Sequence, residues 1–128
     1  MTQEDKELIF KELCARLPYH VKCKIWLKDG TTEEGLLDLQ HNYGNVLQDA
    51  FYYNKIKDIK PYLISMSSMT EEEKEEYCQL QQRVIYNSKG VINEDVTKYI
   101  NWCYKKHLDI NNLIPMELAI DATGLNIY

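Results

Sequence analysis

The sequence predicts an α+β fold, a small SH3-like or Sm-like curved β-sheet or barrel flanked by an N-terminal helix and two C-terminal helices. Three observations carry this expectation. Val21, Cys23, Ile25 and Leu27 alternate with Lys22, Lys24, Trp26 and Lys28, which is the period-two pattern of a half-buried strand. Apolar residues at helical spacing recur on either side of it, at Ile9, Leu13 and Leu17 and again at Tyr77, Leu80 and Val84. A length of 128 residues, 45% of them hydrophobic and 27% charged, suits one globular domain with a core. The expected division is a helix over 1–18, a β-unit over 19–63, and helices with a packed tail over 64–128.

Thr2 is placed to cap the first helix, which carries Ile9, Leu13 and Leu17 on one stripe with Phe10 and Cys14 beside it. Pro18 ends that helix, because proline disfavours helical geometry in the residue before it. Lys28-Asp29-Gly30 then turns the chain, and Gly35, Leu37 and Leu39 alternate with Leu36, Asp38 and Gln40. His41 to Asn45 supplies a second turn, with Val46-Leu47 and Ala50 to Tyr53 as further strand pieces. Ile56 and Ile59 break strict alternation within Lys55–Lys60, which predicts a bulge or a short 3₁₀ turn before Pro61. Four or five strands of this length bury a face only by curling into a barrel or leaning on a helix.

Beyond Ser65 the pattern becomes helical. Thr70 and Glu73 form a capping-box pair, and Glu71 to Glu73 suit the positive end of a helix dipole. That helix ends around Asn87 to Gly90. Asn93 is placed to cap another, with Val96, Tyr99, Ile100 and Cys103 on one face and Lys105, Lys106 and His107 as cations in its last turn. The tail from Leu108 to Tyr128 holds Leu113, Ile114, Leu118, Ile120 and Ile127, which is apolar enough to pack back on the domain.

Composition narrows the function. The net charge is −5, with nine Lys/Arg against ten Asp/Glu in residues 1–60 and six against ten in 61–128. This disfavours a general polyanion binder, which needs clustered positive charge. Met1 to Lys6 has neither the basic nor the apolar part of a signal peptide, and no apolar run reaches membrane-spanning length, so a cytoplasmic location without membrane contact is expected. Cys14, Cys23, Cys78 and Cys103 are scattered with no Cys-x-x-Cys pair, and are expected as reduced, buried small hydrophobes.

The one surface with suggestive chemistry is the outward face of the first strand, Lys22, Lys24, Trp26 and Lys28, where ammonium groups flank a flat aromatic. Set against it is the plainer reading of a solvated lysine face guarding a sheet edge, with Asp29, Glu33, Glu34 and Asp38 cancelling its field. Ten tyrosines, two of them adjacent at Tyr52-Tyr53, suit a protein interface, and Tyr53 is grouped with the lysine–tryptophan face as an expected binding residue. Glu71 to Glu76 wraps around a helix instead of converging on a metal, and no glycine-rich phosphate loop is present. His20, His41 and His107 are isolated from each other, and His41 beside Asp38 is the one general-base candidate.

Leu13-Cys14-Ala15-Arg16-Leu17-Pro18-Tyr19, Asp58-Ile59-Lys60-Pro61-Tyr62-Leu63, Ser68-Met69-Thr70-Glu71-Glu72-Glu73 and Leu113-Ile114-Pro115 stand in one order along nearly the whole chain. Together they resemble a widespread group of small uncharacterised proteins of gut Bacteroidales bacteria and their prophages and mobile elements. The resemblance implies a cytosolic protein of a mobile-element neighbourhood and brings no activity, substrate or catalytic residue. After Pro115 that group often continues with a basic residue and a glycine, where this chain has Met116 and Glu117. Pro18-Tyr19 and Pro61-Tyr62 are expected to bracket the β-unit, each proline fixing φ where helix and extended chain meet.

The expectation is therefore a non-enzymatic binding or adaptor protein of a phage or mobile element, with another protein as partner and no cofactor. One alternative is a single-stranded nucleic-acid accessory module using the Lys/Trp strand face. The other is a small hydrolase or nuclease around His41 and Asp38.

Overall fold

The computed structural model describes residues 2–36, 56–85 and 93–128. Helix α1 spans Gln3–Arg16 and opens with a capping box. The Thr2 hydroxyl accepts from the Asp5 amide at 3.1 Å, and the Thr2 amide donates to Asp5 Oδ2 at 3.2 Å. A 3₁₀ turn over Leu17–Tyr19 holds Pro18, so the helix stops where the proline predicts. The buried face of α1 is Ile9, Glu12, Leu13 and Arg16. This corrects the expected stripe, since Phe10 is 66% exposed and Cys14 is also exposed. The spacing is helical as read, but two charged residues take the inward positions assigned to apolar neighbours.

Strand β1 (Lys22–Leu27) follows the predicted alternation, with Val21, Cys23 and Ile25 fully buried. Gly30, at φ 91°, closes the turn into β2 (Thr32–Leu36), and the Leu27 amide donates to the Thr31 carbonyl at 2.8 Å. Strand β3 (Ile56–Leu63) lies on the other side of β1, and β4 (Ile120–Asp121) pairs with β3 in parallel. The sheet order is β2-β1-β3-β4, with β1 antiparallel to both neighbours.

The register slips between Trp26, opposite Asp58, and Leu27, opposite Ile56. Lys57 is thus an extra residue, the bulge expected within Lys55–Lys60. The strand does not break at Pro61, however. Pro61 is buried opposite Cys23 and β3 runs on to Leu63, so this proline lies inside the β-unit instead of bracketing it. Among the described residues the four strands form an open mixed sheet, so of the expected curved sheet or barrel the closed form is not seen. The pieces placed at Leu37 and Leu39, Val46-Leu47 and Ala50 to Tyr53 lie outside the described residues, as does the helix end at Asn87 to Gly90.

The core joins α1, the inner face of the sheet and the tail. Ile9, Leu13, Val21, Cys23, Ile25, Leu63, Leu113, Leu118 and Ala119 form one cluster, with Leu17, Leu27, Ile56 and Ile59 packed against it. The tail therefore packs back as its apolar content requires. Asp109, only 4% exposed, accepts from the amides of Leu113 at 2.7 Å and Ile114 at 2.9 Å. The Ala122 amide donates to the Leu63 carbonyl at 2.8 Å, which sets β4 beside β3.

Helices α2 (Glu71–Ile85) and α3 (Asn93–Lys105) pack on each other. The Thr70–Glu73 capping box forms as read, with bonds of 3.0 and 3.1 Å. No described residue of α2 is fully buried, and α2 meets α3 through polar-tipped aromatics. The Tyr77 and Tyr99 hydroxyls lie 2.9 Å apart, and the Trp102 indole N–H donates to Glu76 at 2.9 Å. No helix among the described residues is long and apolar enough to cross a membrane.

The turn after Pro115 places Glu117 at φ 61°, in the left-handed region that glycine enters without a Cβ penalty. Glu117 is exposed and its amide donates to the Ile114 carbonyl at 3.0 Å. Glu117→Gly is expected to stabilise the fold by about 0.5–1 kcal/mol, the released strain exceeding the added chain entropy. A rise in urea midpoint at constant m-value is the check.

Candidate functional site

The β-ladder decides which side chains share the outer face of the sheet. Lys22, Lys24 and Trp26 alternate outward along β1, while Cys23 and Ile25 face the core. Lys24 stands opposite Glu34 of β2 and Lys60 of β3, and Trp26 stands opposite Thr32 and Asp58. A central tryptophan is thereby surrounded by lysines from two strands.

The Lys24 ammonium lies 5.4 Å from the Trp26 ring centroid and the Lys60 ammonium 5.7 Å from it. Both are within cation–π range, which offsets part of the repulsion between directly opposed like charges. Neither lysine forms an ion pair among the described residues. Trp26 is half-buried, so its ring is a surface feature anchored in the sheet.

The other end of the face is internally neutralised. Lys22 Nζ is 4.0 Å from Glu34 Oε2 and 5.9 Å from the Tyr62 ring centroid, and the Tyr62 hydroxyl donates to Glu34 Oε1 at 2.5 Å. Burial first, then the bond and charge of Glu34, push the Tyr62 phenol up to about 12, so it stays protonated at neutral pH. Asp58 accepts from the Ile59 amide at 2.8 Å. The positive pole of the face is therefore the Lys24–Lys60 pair.

The structure thus brings together three of the five predicted binding residues. Lys28 is not among them: β1 ends at Leu27, and Lys28 sits in the exposed turn beyond it. Tyr53 lies outside the described residues, as do His41 and Asp38. The residues that sequence missed are Lys60 and Tyr62, which join the face only through strand register, while Glu34 stands beside the face as the neutralising acid expected.

Cys23 and Cys103 are buried as expected, and burial pushes their thiols up to about 12 and about 11. Cys14 and Cys78 are exposed, against expectation. Among the described residues no group of three His, Cys, Asp or Glu side chains is placed to hold a metal ion. His107 is not the helix-end cation that was expected, because burial, then the nearby Arg16 guanidinium, hold it down at about 4.

Comparison with protein-family models, curated proteins and solved structures finds no match. The resemblance to the Bacteroidales group rests on the quoted sequence segments alone.

Proposed function

We propose that this chain is a non-enzymatic binding protein, an adaptor whose outer sheet face takes an acidic segment of another protein. The observation that supports the reading is the cross-strand Lys24–Lys60 pair over Trp26. Two ammonium groups gathered near one indole, on a chain whose net charge is −5, are a local concentration of positive charge that a carboxylate relieves. The indole beneath them adds apolar area of the kind that anchors protein interfaces. With both ammonium groups set near its ring, Trp26 is a poorer platform for base stacking, which ranks nucleic acid second. The sequence resemblance adds a cytosolic, mobile-element setting to the proposal. A hydrolase or nuclease would rest on His41 and Asp38, outside the described residues.

The test compares the natural chain with Lys24→Glu and Lys60→Glu as baits in a host lysate. Thermal melts of both variants accompany the assay, so that loss of capture is separated from loss of fold. The natural chain should retain a protein that elutes as salt rises, and both variants should fail to retain it. Capture unaffected by either reversal would overturn the assignment of this face. Salt-sensitive binding of a labelled oligothymidylate, abolished by Trp26→Ala, would replace it with the nucleic-acid reading.

A further inference from the structure

Tyr128 occupies an unusual position beside the sheet. Its hydroxyl accepts from the Lys22 amide at 2.8 Å and donates to the Tyr62 carbonyl at 2.7 Å. The end of the β1–β3 ladder is thus bridged by a side chain from the tail. Its ring lies flat on His107, centroids 3.5 Å apart and planes within 9°. His107 itself is held at φ 57°, and its Nδ1 is buried without a hydrogen-bond partner among the described residues.

We propose that Tyr128 is a proton-sensitive strap, closed on the sheet edge while His107 is neutral and released when His107 is protonated beside the buried Arg16 guanidinium. The proposal does not depend on what the outer face binds. It stands on the surroundings of the imidazole. From α1, Arg16 carries its charge fully buried, with Nη1 lacking a partner among the described residues. The Glu12 carboxylate, the sole nearby counter-charge from that helix, is already shared by Arg16 Nε at 2.8 Å and by Asn111 Nδ2. From α3, Tyr104 packs its ring 4.8 Å from the guanidinium, and Cys103 is a buried neutral thiol. From β1 and β3, Cys23 and Tyr62 border Tyr128 as neutral groups. In the segment after α3, Asp109 accepts one amide on each oxygen, from Leu113 and from Ile114. Glu12 and Asp109, the two buried carboxylates among the described residues, are already held by other donors, so a proton on His107 is accommodated by moving the imidazole and its stacked ring to water.

The direction of the pH dependence follows. His107 is lowered from 6.5 to about 4 in the closed state. A released imidazole binds its proton near the ordinary value, so closure is favoured above about 6.5 and is lost as pH falls toward 4. The ratio of closed to open strap falls by about a hundredfold between pH 7 and pH 4. At the alkaline end, burial first among several influences pushes the Tyr128 phenol up to about 12, so its donated bond persists through the neutral range.

The experiment is amide hydrogen exchange on the full chain between pH 4 and 7, corrected for intrinsic exchange, with the Lys22 amide as reporter and Ile25 as the ladder interior. Protection at Lys22 should fall by about a hundredfold across this window while Ile25 stays protected. Tyr128→Phe keeps the ring but removes the hydroxyl, and should reduce Lys22 protection already at pH 7. His107→Gln should leave Lys22 protection independent of pH. Flat Lys22 protection in the natural chain would overturn the proposal. So would a parallel loss at Lys22 and Ile25, which reports global unfolding, or a pH dependence that survives in His107→Gln.

Discussion

Glu12→Ala is expected to destabilise the fold by about 3–5 kcal/mol, the largest effect of any single side-chain truncation considered for this chain. Glu12 and Arg16 form an ion pair of 2.8 Å with side chains 2% and 0% exposed. Arg16 Nη2 also donates to the Leu108 carbonyl at 2.7 Å, tying α1 to the segment that leaves α3. Removing the carboxylate leaves a guanidinium sealed from water with one backbone acceptor and an aromatic face as company. A loss of this size is a large share of the stability of an ordinary domain, so the variant is expected to be partly unfolded at physiological temperature. The double variant Glu12→Leu/Arg16→Met separates charge burial from packing. It should recover most of the loss, because apolar side chains of similar volume replace buried pairs at little net cost. Urea unfolding of the three proteins at pH 7 is the measurement. A loss below about 1 kcal/mol in Glu12→Ala would mean that water reaches the guanidinium after all.

This pair also shows where sequence reading stops. Glu12 and Arg16 stand at the same helical spacing as Ile9 and Leu13, but a pattern scored on apolarity turns charged residues outward and Phe10 and Cys14 inward. The true orientation is set by a partner 92 residues away, the Leu108 carbonyl, which no local window contains. The same holds for β4. Two residues at Ile120–Asp121 have no strand signature of their own, and they join the sheet because β3 offers Tyr62 and Leu63 an unoccupied parallel edge. What was legible was local: the cap at Thr2, the capping box at Thr70, the stop at Pro18 and the alternation of Val21, Cys23 and Ile25.

The candidate site divides along the same line. Lys22, Lys24 and Trp26 follow from alternation within one strand, so the sequence places them on a common face. Lys28 fails because the strand stops at Leu27. Lys60 enters because the pairing of β3 with β1, with its bulge at Lys57, sets it opposite Lys24, and a slip of one residue would send it to the core side. The charge that distinguishes this face from a plain solvated strand, the second lysine over Trp26, is therefore a product of register. His107 was misread for a related reason. Its position at a helix end suggested a cation, while its partners come from α1 and the tail.

Asp109→Ala is expected to cost about 2–5 kcal/mol, from two buried amides losing a charged acceptor. The carboxylate acts as a clamp on the tail, closing the 109–114 turn from inside while the Asp109 amide donates to the Ile64 carbonyl at 2.9 Å. Leu113, which it positions, is fully buried against α1 and the sheet, and Leu118 follows through the bond from its amide to the Leu113 carbonyl. The damage should not stay local, because β4 pairs with β3 only if the turn delivers Ile120 to Tyr62. Asp109→Asn is the discriminating control. It keeps the shape and one acceptor, so it should lose roughly half as much as alanine if the two hydrogen bonds carry the effect. Equal losses for the two variants would instead assign the effect to the charge itself. Hydrogen exchange would locate the loss: the amides of Leu113, Leu118 and Ala122 should lose protection before those of β1. Simultaneous loss throughout would show that the tail and the sheet unfold as one cooperative unit.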